Sequence, residues 1–302
     1  MPKLLITGAW SPDEQAIKEI TALGFETVFM PDERASVPCK ESEIEAVICN
    51  GLFLYHNIEN FSNLRHIQLT SAGYDRVPLD YIKAHNIRLY NAGNTYAVPM
   101  AEYTVFAVMH FYKRASFFYA NKSEAKWEKN RNIKELFGKT VCIVGCGNVG
   151  METAKRFKAF GCNVIGVNRT EKQLDCFDRI YPIQELDTVL PMADIVVLSI
   201  ASVNETKHLI NANRLALLRD GCVLVNLSRG DVVDTNALVS ALENRSVCAA
   251  LDVFEEEPLP VSNPLWALEN VLITPHNSFI GDGVRARLFK AIYNNLKGFI
   301  KC

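Results

Sequence analysis

Three segments place chemically competent side chains directly after short apolar runs. In one, Val223-Leu224-Val225-Asn226-Leu227 is followed by Ser228-Arg229-Gly230-Asp231. An arginine leaving a strand beside a glycine can reach into a cleft, where its planar fork grips a carboxylate through two parallel hydrogen bonds. In the second, Ala249-Ala250-Leu251 leads to Asp252 and then to Glu255, Glu256, Glu257 and Pro258. In the third, Val271-Leu272-Ile273 is followed by Thr274-Pro275-His276-Asn277. Of six histidines, His276 alone follows both a strand and a proline, and it is the best acid-base candidate. Adding a hydride to a ketone needs a proton donor at the carbonyl oxygen, and an imidazolium held by a carboxylate can give and retake that proton near neutral pH.

A fourth segment carries the means of holding a nucleotide. The apolar run Thr140-Val141-Cys142-Ile143-Val144 enters Gly145-Cys146-Gly147-Asn148-Val149-Gly150, and a helical pattern follows over 151–160. In G-x-G-x-x-G the first glycine allows the tight turn, the second lets backbone approach a pyrophosphate, and the third permits close packing of helix on strand. The amides of the helix N-terminus, at Asn148 and Val149, face the phosphates. A second strand, Asn163-Val164-Ile165-Gly166-Val167, follows at the spacing of a βαβ unit. Its end lacks the Asp or Glu that would hold the 2′-hydroxyl of NAD and has Asn168-Arg169-Thr170 instead. Without the carboxylate there is no repulsion toward a 2′-phosphate, Arg169 offers that phosphate a guanidinium, and Asn168 and Thr170 add hydrogen bonds, so NADP(H) is favoured over NAD(H).

These segments need elements to position them. Short β-branched runs alternate with helical patterns along the chain, which predicts an α/β fold of parallel sheets covered by helices, about four to six strands each. The rhythm breaks where 101–119 reads as one long apolar helix followed by a charged stretch, 121–139. The expected organisation is a discontinuous substrate-binding domain, 1–98 plus 278–302, with the dinucleotide-binding Rossmann domain at 99–277 between its parts. The length, 302 residues with 32 Lys+Arg against 34 Asp+Glu, suits two cores. A net charge of −2 without charge runs argues against nucleic acid as a partner. The most apolar stretch is too short for a bilayer and carries Glu102 and His110, and no leader pattern opens the chain, so the expectation is a cytoplasmic protein without a membrane partner. Nine cysteines without a Cys-x-x-Cys pair read as reduced core thiols, and no metal site is expected.

Taken together, the ordered motifs resemble the D-isomer-specific 2-hydroxyacid dehydrogenases, which include glyoxylate/hydroxypyruvate reductases. The resemblance runs from Ser71-Ala72-Gly73-Tyr74-Asp75 through Ala101-Glu102, the glycine loop, Glu205-Thr206-Lys207-His208-Leu209-Ile210 and residues 226–234 to 252–258 and Thr274-Pro275-His276. It implies two doubly wound, Rossmann-like domains: a flavodoxin-like substrate domain closed by the last helix, and an inserted NAD(P)-binding domain. It further implies that Arg229 binds the substrate carboxylate and carbonyl, that His276 exchanges the proton, and that Glu257 pairs with His276 while Glu255 and Glu256 remain surface charges. Asp252 would hold the nicotinamide carboxamide, Thr206 would join the cofactor side, and the amides of Ala72 and Gly73 would receive the substrate carboxylate. A homodimer through the long helix is implied, acting on a small 2-oxo or 2-hydroxy acid. Formate or phosphite dehydrogenases and dinucleotide-sensing corepressors are the alternatives within the same fold. The chain departs from the family pattern in two places: 198–202 lacks the usual His and Pro, and Asn277-Ser278 replaces Ile-Gly. The stretch Asn50-Gly51-Leu52-Phe53, expected to line the substrate side chain, has no Arg or Lys, which disfavours a phosphorylated substrate. With the sequence ending at Cys302, no appended regulatory domain is expected, unlike the longer phosphoglycerate dehydrogenases.

Overall fold

The computed structural model describes residues 1–170 and 173–300. The chain divides into two compact units, Met1–Tyr96 with Gly281–Cys302, and Ala97–Ile280. The changeovers fall at 96/97 and 280/281 rather than at 98/99 and 277/278, because the helix that opens the second unit already starts at Ala97.

The first unit is a five-stranded parallel sheet of β1 (Lys3–Thr7), β2 (Glu26–Met30), β3 (Ile44–Cys49), β4 (His66–Leu69) and β5 (Arg88–Tyr90), in the order β2-β1-β3-β4-β5. Helices α1 (Glu14–Ala22) and α2 (Leu79–Ala84) connect strands. Asp13 fixes the start of α1 by accepting the amide of Ala16 at 2.8 Å, as a short polar side chain does at an N-cap. The last helix, Val284–Ile300, repeats apolar residues every fourth position, so Leu288, Ile292 and Leu296 form one stripe. That stripe packs with Leu4, Ile6, Ile20 and Ile48.

The second unit contains α3 (Ala97–Tyr112), α4 (Ala115–Ser123), β6 (Thr140–Val144), α5 (Asn148–Ala159), β7 (Asn163–Asn168), β8 (Arg179–Pro182), α6 (Leu186–Val189), β9 (Ile195–Leu198), α7 (Ala212–Leu217), β10 (Val223–Asn226), α8 (Thr235–Asn244), β11 (Cys248–Leu251) and β12 (Val271–Ile273). Its seven strands are parallel, in the order β12-β11-β10-β9-β6-β7-β8. Both faces of the sheet are covered: Cys142 and Val144 of β6 belong to one apolar cluster, and Val141 and Ile143 to the other. Such two-sided burial is why these strands read as continuous apolar runs instead of alternating ones. The order reverses between β9 and β6, and loops leaving the carboxyl ends there form the ligand edge of such a sheet.

Two expectations change. The long helix over 101–119 is two helices, because Arg114 adopts a left-handed backbone, φ 54°, between α3 and α4. The second sheet has seven strands rather than four to six, since β8 adds an edge too short and too exposed to show as an apolar run. Cys39, Cys176 and Cys248 are half-buried rather than core, while Cys49, Cys142, Cys146, Cys162 and Cys222 are buried, and all eight are free thiols. Cys302 lies outside the described residues. Burial pushes the Cys142 thiol upward, leaving it neutral and inert. Among the described residues, no helix is long and apolar enough to cross a membrane, and no group of three or more His, Cys, Asp or Glu side chains is placed to hold a metal ion.

Candidate active site

At the end of β10 the buried Asn226 shapes the exit. Its Nδ2 donates to the carbonyl of Arg229 at 3.0 Å, and its Oδ1 accepts from the amide and the hydroxyl of Ser228. The turn delivers an exposed Arg229, whose Nη1 donates to the Ser228 carbonyl at 2.9 Å. The next residue has to be glycine, since a Cβ at Gly230 would lie 1.8 Å from the carbonyl carbon of Phe254. That contact sets the arginine turn directly against the acidic segment leaving β11.

Asp252, the residue after β11, is fully buried. Its Oδ1 accepts from Thr274 Oγ1 at 2.6 Å and from the Asn277 amide at 2.7 Å, and its Oδ2 accepts from the Ser278 amide at 3.0 Å. Its carbonyl accepts the amide of His276 at 2.8 Å. Four bonds thus tie one aspartate to the turn after β12. Within that turn His276 has φ 51°, a left-handed conformation that costs a non-glycine residue of order 1 kcal/mol and persists only where its surroundings impose it. Tyr103 of α3 adds a further tie, its hydroxyl lying 2.8 Å from Thr274 Oγ1, and burial pushes its phenol up to about 12. Asp252 therefore anchors the turn that carries His276.

His276 Nδ1 lies 2.9 Å from Glu257 Oε2. The other carboxylate oxygen of Glu257 accepts the amide of Phe254 at 3.0 Å, so the glutamate is oriented from two sides. Both side chains stay partly open to solvent, at 42% and 37%. With Nδ1 committed to Glu257, Nε2 is the nitrogen left for a substrate oxygen.

The glycine loop joins β6 to α5. Gly145 takes φ 103°, and a Cβ there would meet the Ser199 carbonyl oxygen at 2.6 Å. A Cβ at Gly150 would meet the Gly145 oxygen at 2.1 Å, whereas one at Gly147 meets nothing within 4 Å. Gly147 is also the N-cap of α5, with no side chain capping the helix. An open approach and uncapped amides at Asn148 and Val149 are what a pyrophosphate needs, so these residues fit a dinucleotide. Ser199 donates its hydroxyl to the Gly145 carbonyl at 2.8 Å and braces the loop. At the end of β7, Asn168 Nδ2 donates to the Thr170 carbonyl at 3.2 Å, and Arg169 and Thr170 are exposed. Thr206, expected beside the cofactor, is buried and closes its own loop, donating to the Ala201 carbonyl at 2.8 Å and accepting the Val203 amide at 2.8 Å.

Ala72 and Gly73 belong to the first unit, in the loop after β4. Their carbonyls accept from Asn91 Nδ2 at 2.7 Å and from Ser71 Oγ at 3.1 Å, which leaves the amides as the groups able to meet an anion. In the same unit Glu33 gathers the Thr7 hydroxyl and the amides of Asn50 and Gly51, each at 2.7 Å. A Cβ on Gly51 would lie 3.9 Å from Arg76 Cδ, so a cation from the neighbouring loop stands beside the 50–53 stretch that itself carries none.

A family profile described as "D-isomer specific 2-hydroxyacid dehydrogenase, NAD binding domain" matches residues 105–278. The chain belongs to this family. It is similar to a glyoxylate reductase of Thermofilum pendens, with 34% identity over 79% of this chain and 73% of that one. A hydroxypyruvate reductase of Thermotoga maritima is 33% identical over 72% of each chain. Among solved structures, a D-isomer specific 2-hydroxyacid dehydrogenase of Xanthobacter autotrophicus, in complex with NADPH and MES, superposes with a TM-score of 0.80 at 26% identity, covering 99% of this chain and 95% of that one. As a family member the chain is an oxidoreductase acting on hydroxy acids, with a nucleotide-binding domain of the NAD type.

Several residues in this dehydrogenase's second unit escaped sequence reasoning. Thr274 was legible only as part of a motif, and Tyr103 only as part of an apolar helix, yet the two join the Asp252 anchor. Glu255, taken for a surface charge, has its Oε1 2.7 Å from His208 Nε2 while its Oε2 accepts the Thr235 amide at 3.0 Å. Partial burial pushes its carboxyl upward, but the hydrogen bonds from Thr235 and His208 outweigh it and hold the carboxyl below the usual range. Nothing in the local sequence distinguishes Glu255 from Glu256; the difference is which way each faces in a packed turn.

Proposed function

We propose that this dehydrogenase reduces small 2-oxo acids, glyoxylate and hydroxypyruvate foremost, and prefers NADP(H) over NAD(H). The observation that carries this reading is the His276–Glu257 pair at 2.9 Å, at the same strand edge as an outward-turned Arg229. The names of the relatives at 33–34% identity support the substrate class. The NADPH-bound structural neighbour and the absence of a carboxylate at Asn168-Arg169-Thr170 support the cofactor preference.

In the mechanism, Arg229 receives the substrate carboxylate in bidentate fashion and fixes the orientation of the carbonyl. In the first unit, the amides of Ala72 and Gly73 are the groups assigned to a substrate carboxylate. The cofactor, held by Gly145, Gly147, Asn148, Val149 and Gly150, with Asn168, Arg169 and Thr170 at the adenosine end, supplies a hydride when bound. His276, doubly protonated, gives the Nε2 proton to the carbonyl oxygen as negative charge develops there. Glu257 keeps the Nδ1 proton in place, fixes the ring plane and stabilises the imidazolium before transfer. In the oxidative direction the same imidazole, now neutral, takes the hydroxyl proton back. Asp252 acts at one remove, by holding the turn that carries His276.

The test is oxidation of NADPH and of NADH, followed at 340 nm, against glyoxylate, hydroxypyruvate, pyruvate and 2-oxoisocaproate. Faster turnover with NADPH on one of the first two supports the whole reading. Faster turnover with NADH overturns the cofactor preference alone, and no turnover with any acid overturns the substrate class. We assign the assembly as a homodimer through the α3–α4 region, where Phe106, Phe118, Tyr119 and Trp127 are exposed, Trp127 completely. Sedimentation equilibrium showing a monomer at micromolar concentration would remove that assignment. Eight free thiols suit a reducing cytoplasm as its location.

A further inference from the structure

Two histidine–glutamate pairs flank one short segment of the second unit. His276 meets Glu257, and two residues earlier His208 meets Glu255 at 2.7 Å. Both histidines have left-handed backbones, φ 51° and 48°, and His208 shares no turn with glycine that would explain it. An imposed conformation at a polar residue marks a side chain whose direction matters to its surroundings. The bonds around Glu255 say what that direction serves. Its second oxygen accepts the amide of Thr235, the first residue of α8, so the carboxylate lies between a helix N-terminus and an imidazole. Its backbone amide is within 2.2 Å of the space a Cβ on Gly230 would fill, which places the peptide directly against the arginine turn. Phe254, immediately before it, gives its amide to Glu257. The carboxylate that holds His276 is thus anchored on a turn whose own anchor is Glu255.

His208 is tied in its turn to the segment that follows the arginine turn. Its amide donates to the Asp231 carbonyl at 2.7 Å, and the Asp231 carboxylate accepts from Ser202 at 2.8 Å. The arginine turn has separate support, since Asn226 binds Arg229 and Ser228 without help from Glu255.

We infer that His208 and Glu255 form a positioning pair that sets Glu257 against His276, and so tunes the proton transfer from outside the reaction itself. The inference rests on the reading of His276 and Glu257 as the proton-transfer pair. Neither His208 nor Glu255 touches substrate; each acts through the 254–257 turn. Loss of either lets Glu257 drift from Nδ1, which weakens the hold on the imidazolium while leaving the carboxylate grip of Arg229 in place. The expected kinetic pattern is therefore a fall in kcat with little change in the KM for the oxo acid.

The test uses the full chain and the variants H208A, H208Q, E255A and the double variant H208A/E255A, with thermal melting to normalise each rate to folded protein. In H208A we expect kcat to fall about tenfold at pH 7.5, with the oxo-acid KM within about twofold. In H208Q, whose amide can still donate to Glu255, the rate returns most of the way to wild type. The double variant should be no worse than the poorer single one, as for two groups acting as a unit. A KM that rises in step with the fall in kcat in H208A and E255A, a loss that merely follows the folded fraction, or strictly additive losses would each overturn the pair's role. A wild-type protein inert toward every 2-oxo acid would overturn the underlying reading and this inference together, whereas an active wild type with indifferent variants overturns this inference alone.

Discussion

Replacing Asp252 by Asn keeps the shape of the anchor and inverts the polarity of one of its oxygens. In the native turn Oδ1 serves Thr274 Oγ1 and the Asn277 amide, and Oδ2 serves the Ser278 amide at 3.0 Å. An asparagine that keeps its oxygen on the first two donors must face its NH2 toward the Ser278 N–H, donor against donor, in a site without solvent. One orphaned buried amide costs about 1–3 kcal/mol, and converting two charge-assisted bonds to neutral ones removes roughly 1 kcal/mol each. The expected destabilisation is about 3–5 kcal/mol. For a unit of this size each kcal/mol is worth about 2–4 °C, so the melting midpoint of that unit should fall by roughly 6–20 °C. Relief of the clash requires the 274–278 turn to move, and His276 moves with it; a displacement of about 1 Å at the acid costs on the order of 10²-fold in rate. Differential scanning calorimetry and kcat at saturating oxo acid, measured on folded protein at a temperature below both transitions, give the two numbers. A D252N enzyme with wild-type melting and wild-type kcat would refute the anchor argument, and one that melts normally but loses only cofactor affinity would return Asp252 to the nicotinamide.

Removing the proton-transfer group in H276A should lower kcat by at least two orders of magnitude while the dissociation constant for NADPH, read by fluorescence titration, changes little; normal turnover would refute the assignment. In R169A the loss of a guanidinium from a 2′-phosphate should raise the KM for NADPH about tenfold and leave that for NADH within twofold, and equal effects on both cofactors would count against the phosphate contact. His66, in the core of the first unit, has both ring nitrogens without partners and a pKa brought down to about 4, first by burial and then by the nearby Arg88 charge. Because the folded value lies below the unfolded one near 6.5, the unfolded chain binds the proton more readily, so stability is complete above pH 6.5 and is lost as pH falls through 4. Between pH 7 and 4.5 the loss from this residue is about 2–3 kcal/mol. Urea unfolding of wild type and H66F should therefore diverge by that amount as the pH is lowered, and a pH-independent difference would show the ring to be protonated or solvated in the fold.

Periodicity and glycine placement made most of the fold and the nucleotide loop legible in the sequence. Parallel strands buried on both faces write themselves as unbroken apolar runs, and Gly145, Gly147 and Gly150 stand where a backbone turn, an open approach and a helix contact each exclude a side chain. The same logic exposed Arg229 and His276, because polar residues that follow such runs emerge at the ligand edge. Short edge strands such as β5 and β8 escaped it, having too few buried positions to form a pattern. So did the break at Arg114, since a single left-handed residue between two helical stretches leaves no compositional mark. What only the tertiary structure decided is how polar groups divide the work. Asp252 turns inward to hold a loop, Thr206 closes its own turn, Ser199 braces the glycine loop, and Glu255 rather than Glu256 meets His208. A hydrogen bond depends on distance and direction across segments far apart in the chain, and the sequence, which records residue type and spacing along one line, carries neither.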